Sequence, residues 1–362
     1  MEMPTQPASE KGLFPTRQKR LSEALNRADL QGLALNPGPS LTYLTGLHFH
    51  LSERPVVAIF TPEQAVVMVL PELEKAKLAS LDYPVQSFVY GEDPTSWGEV
   101  FAQGVRVARL DGKTIGLEPQ RMRVLELELL QEASRQTRFV SAAEALAGLR
   151  MFKDAAEASA MRKAVKIAQD ALQAALPAVR IGMTEREFAS ELTLQLLRHG
   201  SDAELPFSPI VSGGPNSANP HAMPSIRPFQ PGDLLVIDWG AAYGGYISDL
   251  TRTFAIGEVD PQLQKIADCV VKANTAGREA CRPGAPVESI DHAARGVIET
   301  VHFDDSDSSA HLGRLAEGDA GDIGVGHIIA LDRAVIEQYT VGKPFGLPQD
   351  FRRDFAHFQV DG

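Results

Sequence analysis

The sequence predicts two domains, an α/β domain in the N-terminal half and an α+β domain after it. The 362 residues exceed one ordinary domain, so two are expected. Short apolar runs alternate with helical stretches as far as residue 148, which is the pattern of an α/β domain. Beyond that point long helices precede a block of paired strands, which indicates an α+β domain.

The N-terminal half opens with a helical pattern from Arg17 to Arg27, in which Leu21, Ala24 and Leu25 share one face. Residues 1–15 before it are polar and are expected to form a disordered tail. Apolar runs predict strands at 33–36, 56–60, 65–70 and 114–117, with helices at 71–78, 97–108 and 121–132. These elements predict one domain over residues 16–148.

The C-terminal half begins with a predicted helix over residues 155–176, which Asp154 caps. Thr184 and Glu187 form a capping-box pattern that should start a second helix, ending near His199. A strand-rich block over 209–254 and a helix over 261–278 follow. These elements predict a second domain that begins at residue 149.

The composition favours a soluble protein that does not bind nucleic acid. The net charge is −12, and 47 acidic against 35 basic residues disfavour nucleic acid and anionic membranes as partners. Cys269 and Cys281 form neither a metal-type pair nor a disulfide framework. No apolar stretch reaches the ~18 residues of a membrane span, and the N-terminus lacks a signal-peptide core. We therefore expect a cytoplasmic enzyme or binding protein.

One predicted hairpin carries two acids. Asp238 ends an apolar run and Asp249 opens the next one, with a glycine-rich turn over 243–246 between them. A turn symmetric about Tyr243 and Gly244 would place the two acids directly opposite each other, with Cβ atoms ~5 Å apart. Like charges at that separation repel, so a divalent cation or a shared proton is expected to compensate. A solvated aspartate beside a turn is the alternative for either acid alone.

The letters around these acids are more specific than the acids themselves. The stretch from Asp238 to Phe254, D-W-G-A-A-Y-G-G-Y-I-S-D-L-T-R-T-F, resembles the metal-binding hairpin of the pita-bread metallopeptidase family. That family includes methionine aminopeptidase, prolidase and Xaa-Pro aminopeptidase. Upstream, S-G-G-P-N at 212–216 and N-P-H at 219–221 are similar to the block that brings a histidine to the substrate pocket, which falls on His221.

The first half is similar to the creatinase-type N-terminal domain. Asn36-Pro37 and the run Y-L-T-G at 43–46 carry this resemblance, and L-R-M-F-K at 149–153 resembles the join to the catalytic domain. Methionine aminopeptidases generally lack this domain, whereas Xaa-Pro aminopeptidases and prolidases carry it. The expected fold is therefore an α/β N-terminal domain plus an α+β pita-bread domain. The pita-bread domain is expected to be incomplete, because the C-terminal segment does not match the family.

The resemblance implies metal-assisted hydrolysis of the bond before proline in short peptides. Asp238 and Asp249 would bind two divalent ions, Mn, Co or Zn, and His221 would bind substrate or relay a proton. It also implies a homodimer. The alternative is a non-catalytic or metal-free, creatinase-like member of the same fold, acting as a binding protein or as a hydrolase of small amides.

The resemblance fails after Thr300, so it implies a pita-bread domain over residues 149–300 and an unmatched C-terminal segment over residues 301–362. The family's third ligand normally lies in an H-x-x-G-H-G type motif, and its two glutamate ligands follow; here only the fragment G-V-G-H, ending at His327, resembles such a motif. Three interpretations remain open: a divergent and inactive end, a shifted reading frame, or ligands rebuilt from residues such as His311, His327 or Glu337. The abrupt loss of similarity favours the shifted frame. We keep His327 as a candidate metal ligand.

Overall fold

The computed structural model of this chain describes residues 12–62, 64–300 and 338–339. The chain divides into two compact units, Met1–Ala158 and Ser159–Gly362. The first unit is built on a six-stranded sheet with strand order β4-β3-β2-β1-β5-β6. Its strands are β1 Gly32–Leu35, β2 Val57–Phe60, β3 Val66–Pro71, β4 Val85–Tyr90, β5 Thr114–Leu117 and β6 Arg138–Ser141.

Helices surround this sheet. They are α1 Leu13–Arg27, α2 Pro39–Thr45, α3 Trp97–Val107, α4 Val124–Ala133 and α5 Ala143–Met151, with 3₁₀ turns at Glu72–Ser80 and Pro94–Ser96. The four predicted strands are all present, but the predicted helix at 71–78 is a 3₁₀ turn. β4 and β6 were not predicted, because they lie at the two edges of the sheet and are partly exposed, which weakens their apolar signal.

Both faces of the first sheet are buried, as expected of an α/β domain. Along β1, Leu33 and Leu35 belong to one hydrophobic cluster, whereas Ala34 between them belongs to the other. Helices α1 and α5 supply side chains to the first cluster, and α3 and α4 supply them to the second. The alternation along β1 therefore accounts for the two helical layers.

The second unit combines helices with a smaller, mostly antiparallel sheet. Its elements are α6 Ala155–Ala175, α7 Glu185–Arg198, β7 Ile210–Gly213, β8 Leu234–Trp239, β9 Ala242–Tyr243, β10 Tyr246–Ile247, β11 Leu250–Ile256, α8 Pro261–Ala280 and α9 Val287–Glu299. β8 pairs with β7 on one side and β11 on the other, while β9 and β10 form a short ribbon. β12, Gln338–Tyr339, pairs with β11 in parallel.

One face of this sheet packs against α6 and α7. Their side chains, including Ile167 and Phe188, form a single buried cluster with Leu235, Ile237 and Trp239. This helix-on-sheet layering is the predicted α+β arrangement. None of the helices in the described ranges combines the length and apolar character that crossing a bilayer requires.

The predicted capping box at the start of α7 is confirmed. The Glu187 N–H donates to Thr184 Oγ1 at 3.2 Å, and the Thr184 N–H donates to Glu187 Oε2 at 2.8 Å. These two bonds satisfy donors that the first turn of a helix leaves without intrahelical partners. The capping box therefore fixes the direction in which the chain enters α7. The loop between β7 and β8 is bonded to this end of the helix.

Candidate active site

β8 carries Asp238 on the sheet face that is turned away from the core. Leu235, Ile237 and Trp239 are buried, whereas Val236 and Asp238 between them are half-buried. This alternation follows from the pleat of a strand, because successive side chains point to opposite faces. Asp238 therefore lies on the second face of a strand whose first face is held in the hydrophobic core.

The hairpin register places Asp249 diagonally from Asp238, not directly opposite it. Asp238 pairs with Thr251, and the same register continued toward the turn sets the exposed Asp249 across from Gly240. In an antiparallel ladder such diagonal neighbours share a face and lie ~7–8 Å apart, instead of ~5 Å for a direct pair. The expectation of directly opposed acids is therefore wrong, but the register keeps both on one face.

The difference arises from the residues at which the chain turns. Tyr243 pairs with Tyr246, so Gly244 and Gly245 form the two-residue turn. Their φ angles are 59° and 82°, and positive φ at both positions is typical of a type I′ hairpin. A turn centred on Tyr243 and Gly244 would require a left-handed tyrosine, which is unfavourable. Moving the centre by one residue shifts every cross-strand partner by two.

Gly240 and Ser248 fix the segment that leads into Asp249. A Cβ atom on Gly240 would lie 2.1 Å from the backbone oxygen of Ser248, so only glycine permits this approach. The Ser248 hydroxyl accepts from the Ala241 N–H at 3.0 Å and donates to Ala164 O, in α6, at 3.2 Å. The small residues Gly240, in the D-W-G motif, and Ser248, in the S-D motif, thus position Asp249 relative to β8.

His221 lies on the loop between β7 and β8. It is exposed, and its backbone N–H donates to the Asn219 side-chain oxygen at 3.0 Å. β7 enters the sheet with Ile210 beside Asp238 and leaves it with Gly213 beside Leu235. The loop that carries the histidine therefore begins three residues along β8 from the acid.

The structure brings two of the predicted residues together at one hairpin. Asp238 lies in β8, and Asp249 lies in the link between β10 and β11, one residue before β11 begins. His221 is on the adjoining loop, and His327 lies outside the described residues. Within the described ranges no group of three or more His, Cys, Asp or Glu side chains is arranged to hold a metal ion. Within the described residues, no third side chain of these types therefore joins Asp238 and Asp249 in a metal-binding arrangement.

These two acids suit a hard divalent cation. Carboxylate oxygens are the ligands that Mg, Mn and Ca prefer, whereas thiolates select softer metals. Asp238 is half-buried and Asp249 is exposed, so an ion between them would remain reachable by solvent and by a small substrate. The donor chemistry fits such an ion, with Asp238 and Asp249 as the groups that would hold it.

The sequence did not draw attention to Glu185, although it is the most heavily hydrogen-bonded carboxylate near this loop. It is fully buried at the first position of α7. It accepts from the Gly213 N–H at 2.8 Å, from Asn216 Nδ2 at 3.0 Å, and from the N–H and hydroxyl of Ser225 at 2.9 and 2.6 Å. Burial raises the pKa of this carboxyl, but these hydrogen bonds lower it by more.

An ion pair supports the same loop. Arg227 donates to both oxygens of Asp233, at 2.7 and 2.8 Å, in the paired geometry that arginine and carboxylate favour. Gly214 has φ of +53°, and a Cβ there would lie 2.4 Å from an Asp233 oxygen. The second glycine of the S-G-G-P-N block is therefore required for the loop to pass over this ion pair.

Comparison with known proteins identifies similar chains over both units. Residues 159–343 match the family described as metallopeptidase family M24, and residues 17–152 match the creatinase/prolidase N-terminal domain. A probable dipeptidase PepE of Mycobacterium tuberculosis is 35% identical over 293 residues, covering 79% of this chain and 75% of that protein. An Xaa-Pro dipeptidase of Lactobacillus delbrueckii is 29% identical over 267 residues, covering 73% and 72%.

Solved structures show the same fold. The dipeptidase PepE of Mycobacterium ulcerans superposes with a TM-score of 0.69 at 31% identity, covering 80% of this chain and 76% of that one. A prolidase of Thermococcus sibiricus gives a TM-score of 0.72 at 27% identity, covering 79% and 77%. The creatinase-type domain followed by a pita-bread domain, expected from the sequence, is therefore confirmed as the fold of this chain.

Proposed function

This chain belongs to the metallopeptidase family M24, and on that premise we propose that it is a metal-dependent exopeptidase that hydrolyses X-Pro bonds in short peptides. The observation that carries the proposal is the hairpin register, which pairs Asp238 with Thr251 and, continued toward the turn, sets Asp249 diagonally from Asp238 on the same face. Relatives that are dipeptidases and prolidases support peptide hydrolysis as the reaction. Proline specificity rests on those relatives and on the N-terminal domain.

In this proposal each residue has a separate task. Asp238 and Asp249 hold divalent metal, which would supply polarisation of the scissile carbonyl and a water of lowered pKa. His221, exposed on its loop, binds the peptide or relays a proton, because a neutral imidazole can accept or donate near neutral pH. His327 is proposed as a further ligand, from the region of the family match that extends beyond Thr300.

The remaining proposals concern the setting of the reaction. We infer that manganese or cobalt is preferred over zinc, because carboxylate oxygens dominate the ligands. A homodimer and a cytoplasmic location are proposed from the resemblance to the proline-directed branch and from the composition. Short proline-containing peptides are the proposed substrates.

The test is retention of metal by the purified chain. The protein is incubated with excess Mn²⁺ and desalted, and its metal content is measured beside Asp238→Asn and the control Asp268→Asn, an exposed acid on α8. We expect about two ions per chain in the wild type and the control, as in two-metal hydrolases, and a clear loss in Asp238→Asn. Equal retention in all three proteins, or none in the wild type, would overturn the metal assignment.

Proline specificity is tested on the same preparations. Cleavage of an Ala-Pro dipeptide is compared with cleavage of Ala-Ala and of a tripeptide that begins Ala-Pro. The proposal requires Mn-dependent cleavage of at least one Ala-Pro substrate in preference to Ala-Ala. Peptide binding without cleavage and without retained Mn would favour the non-catalytic alternative instead.

A further inference from the structure

Glu185 joins the two ends of the loop that carries His221. On the incoming side it accepts hydrogen bonds from Gly213 and Asn216, and on the outgoing side it accepts two from Ser225. His221 lies between these attachment points and is exposed. One buried carboxylate therefore closes the base of a loop whose exposed part holds the candidate catalytic histidine.

The first turn of α7 reinforces this attachment through its backbone. The Glu185 N–H donates to Arg227 O at 3.2 Å, and the Arg186 N–H donates to Ser225 O at 3.0 Å. These are donors that the start of a helix leaves without intrahelical partners. The positive end of the helix also favours a negative side chain at this position. The helix terminus and the carboxylate thus bind the same short stretch of chain.

The site requires an acceptor with two oxygens. An ionised carboxylate only accepts, and the groups that face it here are all donors: two backbone N–H groups, one amide nitrogen and one hydroxyl. A glutamine of the same shape would turn its own NH₂ group toward some of these donors. Such a mismatch in a fully buried position leaves donors unsatisfied, which is costly.

We propose that Glu185 is a positioning residue, which holds the 213–225 loop so that His221 is presented to the peptide. The inference rests on the proposed role of His221, since Glu185 itself is buried beneath the loop and acts through it. The Arg227–Asp233 pair flanks the outgoing end and limits movement on that side. Loss of the carboxylate should therefore release the loop while the rest of the sheet remains in place.

The test combines hydrogen exchange with a double-mutant cycle. In Glu185→Gln we expect amide exchange over 213–225 to become roughly tenfold faster or more, with exchange in α8 unchanged. The matched control is Glu187→Gln, the same change two residues later, where a capping box tolerates glutamine. Should Glu185→Gln fail to fold, Ser225→Ala removes one donor and gives a milder form of the same test.

Peptidase activity provides the second readout. If Glu185 acts through His221, the loss of kcat/KM in Glu185→Gln should nearly disappear when it is introduced into His221→Ala. Losses that simply add, or loop exchange that is unchanged in Glu185→Gln, would overturn the proposal. The exchange experiment needs no turnover, so an inactive wild type would contradict the proposed function while the exchange result still decides whether Glu185 holds the loop.

Discussion

At the scale of single residues, the site depends on positions where only glycine fits, because a Cβ atom would clash. Gly240 lies two residues after Asp238, the first candidate ligand. It packs against the backbone of Ser248, which leads into Asp249, the second candidate. Because the atom it approaches is a backbone oxygen, no side-chain rotation can relieve a clash there. The sequence marked Gly240 as part of the resemblance, but only the structure explains it.

Gly240→Ala is expected to destabilise the fold. The added Cβ would lie 2.1 Å from Ser248 O, which forces the Asp249 segment to move. Such overpacking typically costs about 1–3 kcal/mol. Gly296→Ala, inside α9 with open space around a new Cβ, should instead be neutral or stabilising because alanine favours helix.

Urea unfolding followed by circular dichroism measures both variants. A Gly240→Ala protein as stable as Gly296→Ala would show that the hairpin yields without cost. If metal retention falls in Gly240→Ala while Gly296→Ala retains it fully, the close approach also matters for the placement of the two acids.

At the scale of elements, β8 is held to α6 by the buried indole of Trp239. The indole Nε1–H donates to Ala168 O at 2.8 Å, and the side chain is 1% exposed. The side chain of Asp238, one residue earlier, lies on the other face of the same strand. The position of the first acid therefore depends on how firmly Trp239 is anchored.

The two tryptophans of this chain offer a matched comparison. Trp239→Phe loses a buried hydrogen bond and leaves a small cavity, and we expect a loss of about 1–3 kcal/mol in the free energy of unfolding. Trp97→Phe should cost less, because the described part of the chain offers no acceptor to the buried Trp97 Nε1–H. The midpoints of urea unfolding, followed by circular dichroism, compare the two variants. A lower midpoint for Trp97→Phe than for Trp239→Phe would contradict this expectation.

How much of each element could be predicted from sequence depended on whether its signal is local. The capping box at Thr184 and the existence of the Asp238–Asp249 hairpin follow from neighbouring letters, and both were predicted. The register was not, because it depends on which pair of residues adopts positive φ, and symmetry favoured Tyr243 and Gly244 over the two glycines.

At the scale of the whole molecule, the two units and their fold were predictable because strand and helix patterns repeat over many residues. The contacts of Glu185 were not predictable, since its partners lie 28 to 40 residues away and carry no periodic signal. Only the chain fold brings a helix start, a glycine-rich strand end and a returning loop to one carboxylate. The hydrogen bonds of a buried, ionised carboxylate also contribute to the free energy of unfolding.

Each unit contains a carboxylate whose pKa is lowered on folding. In the second unit this is Glu185, where hydrogen bonds outweigh burial. In the first unit it is Asp154. Burial raises the pKa of this carboxyl, but the hydrogen bond from the Glu157 N–H and the charge of Arg17 lower it by more. A lowered pKa means that the folded state favours the ionised form. Its stabilising contribution is complete above the unfolded pKa and is lost as pH falls through the folded value.

We therefore expect acid to weaken both units once the pH falls below about 4, the ordinary range of Asp and Glu. At pH 7, Glu185→Gln should be less stable than the wild type by about 1.5–3 kcal/mol, as for hydrogen bonds to a buried charge. At pH 3 the difference should shrink, because the carboxyl of the unfolded chain is then protonated and the preference of the folded state for the ionised form counts for less. Asp154→Asn should show the same convergence in the first unit. Unfolding free energies from urea titrations at both pH values measure this, and a gap that widens on acidification would mean that folding raises the pKa of that carboxyl instead of lowering it.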